Sequence, residues 1–262
     1  MNRFREEKFM NKKNDNNLNL ELREITVSVK NLNKNYGKIK ASDNLNFNAY
    51  KGDVIALLGP NGAGKSTLMN MIAGYLAPTS GKIEVMSKDI ALYPLKSKEN
   101  IGFLPEGSPL YPDLSVKMFL QYMAQLRNVS KKELNAVIEK ANIMEVLNQK
   151  IETLSKGYQR RVGFAQSILS NPPILMLDEP TDGLDPNQKD YIRKLIKQMA
   201  NDKTIIISTH LLEEAETVCN RIILIDKGKI KADGKLTDIL KIAKAKTLQE
   251  AFRKLTAKET EK

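Results

Sequence analysis

Four short apolar runs punctuate the chain, and the stretches between them carry apolar residues at helical spacing. "DVIALLG" (53–59), "PPILMLDEP" (172–180), "TIIISTH" (204–210) and "RIILIDKGKI" (221–230) are continuous enough to predict strands buried on both faces. "EITVSVKNL" (24–32) and "NLNFNAY" (44–50) alternate apolar with polar, the pattern of half-buried strands. Apolar spacing predicts helices over Lys65–Ala77, closed by Pro78, and over 115–127 and 131–148. Buried strands interleaved with amphipathic helices imply an α/β fold with a mainly parallel sheet, preceded by an antiparallel β region. Residues from about 107 to 155 read as all helix and interrupt that alternation, so they predict an inserted helical subdomain. The expected organisation is a tail over 1–20, one domain over 21–240 and a helical tail over 241–262. The first segment is Asn/Lys-rich and aperiodic, the composition of a disordered chain. The last contains "TLQEAFRKLTAKETEK", a short amphipathic helix with a charged end.

Composition narrows the setting. The 262 residues are 41% hydrophobic, sufficient for a real core. Cys219 is the only cysteine, which excludes a disulfide framework and favours a reducing compartment. No apolar run reaches the roughly 18–20 residues that a spanning helix needs, and "MNRFREEKFMNKKNDNNLNLEL" lacks the apolar core of a secretion signal. The expectation is a cytoplasmic protein, held at a membrane only through a partner. The net charge of +11 raises the question of nucleic acid. Residues 1–40 carry 10 basic and 5 acidic side chains, 227–262 carry 11 and 5, and 41–226 carry 21 of each. The excess sits at the two ends, which argues against a specific nucleic-acid site. It reads as solvated lysine-rich termini, or as attraction to anionic lipid head groups.

The chemistry begins at "GPNGAGKST" (59–67), which satisfies G-x-x-x-x-G-K-[ST] between a buried strand and a helix. Gly59, Gly62 and Gly64 let backbone N–H groups turn inward, with Pro60, Asn61 and Ala63 between them, and the helix N-terminus adds its dipole. Lys65 is placed to reach the terminal phosphates of a nucleoside triphosphate; Ser66 can offer a hydroxyl to Mg²⁺, and Thr67 closes the loop. "ILMLDE" (174–179) carries Asp178 to the carboxyl end of a buried strand, where open parallel sheets hold ligands. Asp178 suits a water-mediated Mg²⁺ contact, and Glu179 is positioned to polarise an attacking water. His210, the only histidine, follows "TIIIST" and belongs at the same sheet edge, within reach of a γ-phosphate. No Asn/Thr-Lys-x-Asp guanine-reading segment occurs, which disfavours a GTPase.

"LSKGYQRR" (154–161) resembles the Leu-Ser-Gly-Gly-Gln signature of the ATP-binding-cassette (ABC) ATPases, with Lys156 in place of the first glycine and Tyr158 before Gln159. "DGLDP" (182–186) resembles the same family's D-loop, and "NYGKIKASDNLNF" (35–47) its start. The resemblance covers about residues 24–235, with every element in family order. It implies a P-loop NTPase core in which Tyr36 stacks on adenine. It also implies that Ser155 and Gly157 contact the γ-phosphate of ATP held by the opposite subunit, and that Asp185 crosses the dimer interface. "LPEGSPLYPDLSV" and the tail "TLQEAFRKLT" are most similar to the drug-export and gliding-motility branch, which pairs with separately encoded integral-membrane permease subunits. The expected function is therefore an ATP-hydrolysing subunit that dimerises, with itself or with a relative, around ATP and Mg²⁺ on the cytoplasmic face of the membrane and powers an exporter. The alternative is an ABC ATPase acting on ribosomes or DNA. A single cassette and the short gap from Gly64 to Ser155 disfavour it.

One joint departs from the family. "NIGFLPEGSPLYPDL" (100–114) runs Ile101, Phe103 and Leu104 into Pro105 and then presents Glu106 where most relatives carry glutamine. The resemblance places that position beside Mg²⁺ and the attacking water. A carboxylate there is expected to couple subdomain closure to the cation more steeply than an amide would.

Overall fold

Two β-systems share one helix. The protein is described by a computed structural model over residues 23–257; the tail expected over 1–20 and the charged end after Ala257 lie outside the described residues. The chain begins with strand β1 (Ile25–Tyr36), which turns at Gly37 into β2 (Ile39–Tyr50). Strand β3 (Val54–Leu58) leads through the glycine-rich loop into helix α1 (Lys65–Ile72). Next come β4 (Ser80–Val85), β5 (Lys88–Asp89), α2 (Pro94–Lys98) and β6 (Ile101–Leu104). A helical stretch follows with α3 (Val116–Leu126), α4 (Lys131–Lys140), two 3₁₀ turns (Met144–Val146 and Ile151–Thr153) and α5 (Lys156–Ile168). The alternation resumes with β7 (Ile174–Asp178), α6 (Pro186–Met199), β8 (Thr204–Thr209), α7 (Leu212–Thr217) and β9 (Arg221–Asp226). It closes with β10 (Lys229–Gly234), α8 (Leu236–Ala243) and α9 (Leu248–Thr256).

The strands form an antiparallel sheet in the order β2-β1-β4-β5 and a second sheet in the order β10-β9-β3-β8-β7-β6. In the second sheet β9, β3, β8, β7 and β6 are parallel, and β10 is an antiparallel edge. Strict alternation divides the parallel strands between two layers. Ile174, Met176, Ile206 and Ile223 pack with α1 residues Leu68, Met69 and Ile72 and with Val27, Leu45 and Ile83 of the antiparallel sheet. Leu175, Leu177, Ile205 and Ile207 face the other way, into a core built with α3, α4, α5 and α6. Both faces are covered, which is why these strands read as unbroken apolar runs.

Local chemistry corrects several expected boundaries. Helix α1 ends at Ile72, not Ala77: the N–H groups of Tyr75 and Leu76 both donate to Asn70 O (2.9 and 3.2 Å), and Gly74 takes φ +73°. That is a glycine stop of the kind that closes helices before any proline is reached. Helix α4 stops at Lys140 rather than 148, because Asn142 is left-handed (φ 51°) and Ile143 N–H turns back to Ile138 O. "RIILIDKGKI" is not one strand but a hairpin, with Lys227 (φ 49°) and Gly228 (φ 73°) as its two turn residues. Two consecutive left-handed residues match the right-handed twist of paired strands. Helices occupy the 107–155 stretch only from Val116 onward; Gly107–Leu114 is a proline-rich turn segment. Helices α6, α7 and α8 and strands β4 and β5 are absent from the sequence expectations. For α6 a signal is present: Asp185 caps, Pro186 starts, and Ile192, Leu195, Ile196 and Met199 recur at helical spacing.

The C-terminal helices are seated rather than pendent. Leu248 and Ala251 of α9 are fully buried with Ile239 of α8, against Ala56, Leu58, Ile222 and Leu224 of the parallel sheet. Leu248→Ala should therefore cost about 2–5 kcal/mol, read as a lowered midpoint in urea. A shift of less than about 0.5 kcal/mol, the range of ordinary surface substitutions, would show that α9 contributes no core.

Candidate active site

The phosphate loop is fixed by what surrounds it. Gly64 has φ +104°, and a Cβ there would lie 2.2 Å from Ala41 O, so only glycine fits. The loop crosses from the end of β3 to the N-terminus of α1, where first-turn N–H groups have no partners within the helix. Asn61, Gly62, Ala63, Gly64, Lys65, Ser66 and Thr67 line a cleft of about 420 Å³. Ile39, Lys40 and Ala41 of β2 form one wall; Glu106, Asp178, Glu179 and Ser208 form the other. Gly59 and Pro60 lie behind the loop, where their carbonyls accept from Lys65 Nζ at 2.8 and 3.1 Å. Burial lowers the Lys65 pKa, against the opposing pull of the Glu179, Asp178 and Glu106 carboxylates. Ser208 Oγ is buried and has no partner among the described residues, an unused polar atom on the cleft wall.

Asp178 is the last residue of β7, buried and paired in register with Ser208 of β8. The next residue turns sharply. Glu179 is left-handed (φ 51°), a conformation that costs a side-chain-bearing residue about 1–2 kcal/mol. Its N–H donates to Ser208 O (2.9 Å), and its carbonyl accepts from Asp182 N–H (3.1 Å) and from Arg160 Nη2 (2.6 Å). A hydrogen bond to a charged group contributes about 1.5–3 kcal/mol, enough to offset the strain. The turn aims the Glu179 carboxylate outward, where Oε1 lies 2.8 Å from His210 Nδ1. Burial raises the Glu179 pKa above the usual carboxylate value, and the neighbouring imidazole opposes the rise. His210 itself is exposed, the first residue after β8.

Arg160 was not a sequence candidate. It lies on α5, buried, with a forked guanidinium. Nη1 donates to Pro105 O and Ser108 Oγ, both at 2.9 Å, and Nη2 donates to the carbonyls of Asp178 and Glu179. The available signal was two consecutive arginines inside a helix whose other inward positions are apolar, glycine or, at Ser167, a small hydroxyl. Nothing in the sequence says which carbonyls they reach.

The remaining expected residues lie outside this cleft. Tyr36 is exposed at the end of β1 with Lys34 Nζ 5.2 Å from its ring centre. Ser155 caps α5 by accepting from Tyr158 N–H (3.4 Å), and Asp185 caps α6 by accepting from Gln188 N–H (2.9 Å). Gly157 is buried beneath the Gln188 side chain, so the starts of α5 and α6 lie against each other. Lys156, beside them, lines a smaller cavity of about 210 Å³ that shares Glu106 and Glu179 with the main cleft.

A glycine-rich loop, the lysine that ends it and a carboxylate pair at a parallel sheet edge define a nucleoside-triphosphate hydrolase of the P-loop class. Residues 42–182 match the ABC transporter family, and the chain belongs to it. It is the ATP-binding subunit, an ATPase. Over 218 residues it is 36% identical to the linearmycin resistance ATP-binding protein LnrL of Bacillus subtilis (strain 168), covering 81% of this chain and 70% of that protein. It is 33% identical to the Nod factor export ATP-binding protein I of Ralstonia nicotianae, covering 82% and 68%. A solved ATP-binding cassette, dimeric and in a post-hydrolysis state with ADP and Pi, superposes with a TM-score of 0.74. It is 28% identical to this chain, and the match covers 80% of this chain and 98% of that one.

His210→Ala removes the stronger of the two groups, His210 and Lys65, that oppose burial at Glu179. The Glu179 carboxyl should then titrate at higher pH than in the wild type, measured by carboxyl ¹³C NMR. A value unchanged or lower would mean that the 2.8 Å contact does not hold in solution.

Proposed function

We propose that this subunit hydrolyses ATP with Glu179 as the base and powers a separately encoded membrane permease that exports its cargo. The observation that carries the proposal is the Glu179–His210 contact at the mouth of the phosphate cleft. Lys65 exchanges the carbonyls of Gly59 and Pro60 for the β- and γ-phosphates. Glu179 accepts the proton of a water whose oxygen bonds to the γ-phosphorus as the bond to the bridging oxygen breaks; ADP leaves and the proton passes to phosphate. His210 orients Glu179 and donates to the γ-phosphate. The work is positioning and charge stabilisation, as in other phosphoryl transfers.

The cleft wall also fits Mg²⁺. Ser66, Asp178 and Glu106 are hard oxygen donors lining one cleft, and that cation binds through one or two carboxylates together with substrate phosphates. When bound it supplies neutralisation of phosphate charge. Ser66 and Asp178 would hold it, with Glu106 reaching it from the hinge.

Ser155, Gly157 and Asp185 lie away from this chain's own cleft, as residues serving the site of a second copy would. The reading is a dimer, of two copies or of one copy and a relative, with ATP between the cleft of one and Ser155/Gly157 of the other. Tyr36 would stack on the adenine. Export is favoured by the drug-resistance and export names of its relatives. Among the described residues no helix is long and apolar enough to cross a membrane, so the permease supplies the span. Its docking face is a groove of about 470 Å³ beside the Glu106 joint, lined by Tyr75, Phe103, Pro109, Tyr111, Phe119 and Met123. Tyr75 and Tyr111 are 69% and 52% exposed, an aromatic surface unusual for an unpartnered face. On this reading the protein sits on the cytoplasmic side of the membrane, where its basic ends lie close to anionic lipid.

Glu179→Gln should lower turnover by about 10²-fold or more while retaining ATP binding and trapping a dimer on size exclusion. Wild-type-like phosphate release would reject Glu179 as the base. Glu106→Gln should flatten the Mg²⁺ dependence of hydrolysis, and an unchanged titration curve would remove Glu106 from the cation's shell. Tyr111→Glu should leave hydrolysis by the isolated subunit intact yet abolish co-purification with the permease from membranes. Retained co-purification would place docking elsewhere.

A further inference from the structure

Arg160 makes four hydrogen bonds to two segments far apart in sequence. On one side are Pro105 O and Ser108 Oγ, which bracket Glu106; on the other are the carbonyls of Asp178 and Glu179. None of the four acceptors is a carboxylate. A guanidinium that is only 7% exposed and has no ion pair among the described residues is a poor choice for stability alone. Burial lowers its pKa, and the opposing influence comes from Asp178, Asp182, Glu179 and Glu106, all around the catalytic cleft. Its planar fork spans the gap between the segments, which a lysine's single ammonium cannot do from one position. It also rides on the helix whose start carries Ser155 and Gly157.

We propose that Arg160 is a positioning residue that ties the Pro105–Ser108 joint to the backbone of Asp178 and Glu179, so that the catalytic carboxylate is held in its left-handed, outward-facing pose only while that joint is seated. The inference rests on Glu179 being the base. It assigns to α5 a direct mechanical link between three parts: the start of the helix that faces a second copy, the joint that presents Glu106, and the strand end that presents Glu179. The link acts through three backbone carbonyls and the Ser108 hydroxyl, so it changes where Glu179 sits without touching nucleotide.

The test measures kcat, KM for ATP, ADP affinity and thermal midpoint for Arg160→Lys and Ser108→Ala, each also in the Glu179→Gln background by single-turnover hydrolysis. Arg160→Lys should lower kcat about 10- to 100-fold, the scale set by small misplacement of a catalytic group. KM and ADP affinity should stay within about twofold. Ser108→Ala, which cuts only the joint-side contact to the hydroxyl, should lower kcat about threefold with the same split. Combined with Glu179→Gln, Arg160→Lys should add less than about twofold, because a residue acting through Glu179 has nothing left to position. Turnover within about twofold of wild type in both single variants overturns the proposal, as does a full multiplicative loss in the double variant. A parallel loss of ADP affinity and thermal midpoint also overturns it, since that is what a purely structural arginine would give. If Arg160→Lys does not fold, Ser108→Ala decides by the same kcat criterion. Wild-type turnover in Glu179→Gln alone would reject the base assignment, and the Arg160→Lys result would still report whether the joint sets kcat.

Discussion

The register of three buried parallel strands controls this site. β8 lies between β3 and β7, with Leu58 opposite Thr209 on one side and Asp178 opposite Ser208 on the other. The phosphate loop, the carboxylate pair and the histidine therefore leave the sheet at one edge and one level. Because side chains alternate at a period of two, a slip of one residue in β7 would turn Leu175 and Leu177 into the α1 layer. Asp178 would move away from the cleft with them. The apolar cores on both faces make that slip expensive, so packing far from the nucleotide sets the geometry at it.

Charge is then placed against that packing. Lys65, Asp178 and Arg160 are all buried, and Glu179 nearly so, which is costly unless each is satisfied. Carbonyls take most of the bonds from the two cations: Gly59 and Pro60 from Lys65; Pro105, Asp178 and Glu179 from Arg160, which also donates to the Ser108 hydroxyl and whose Nε has no partner among the described residues. Carbonyl partners leave the carboxylates free to face the cleft instead of neutralising the cations directly. The raised Glu179 pKa follows from the same burial, with His210 limiting it.

Much of this was readable along the chain. Continuous apolar runs ending in Gly59, Asp178 and Thr209 announce buried strands whose ends meet at one edge. Less was readable where structure depends on backbone turns with no periodicity. The stop at Gly74 and the break at Asn142 each depend on one left-handed residue, and the reversal at Lys227–Gly228 on two, inside an otherwise continuous pattern. Hydrophobic spacing passes over such positions. Arg160 escaped notice for a related reason: a basic residue in a helix ordinarily faces water, and its four acceptors come from segments that only the fold brings together.

The sequence by itself determined the chemistry available: a glycine loop that admits phosphate, a lysine behind it, two acids at a strand end and a histidine at the next. Those follow from residue type and short spacing, which survive without knowledge of the fold. Only the tertiary structure decided which groups meet. It turned Glu179 toward His210 through a left-handed residue, laid the Gln188 side chain over Gly157, and ran Arg160 between the Glu106 joint and the Asp178–Glu179 backbone. Each of those contacts joins residues separated by a helix or strand whose packing angle no local pattern encodes.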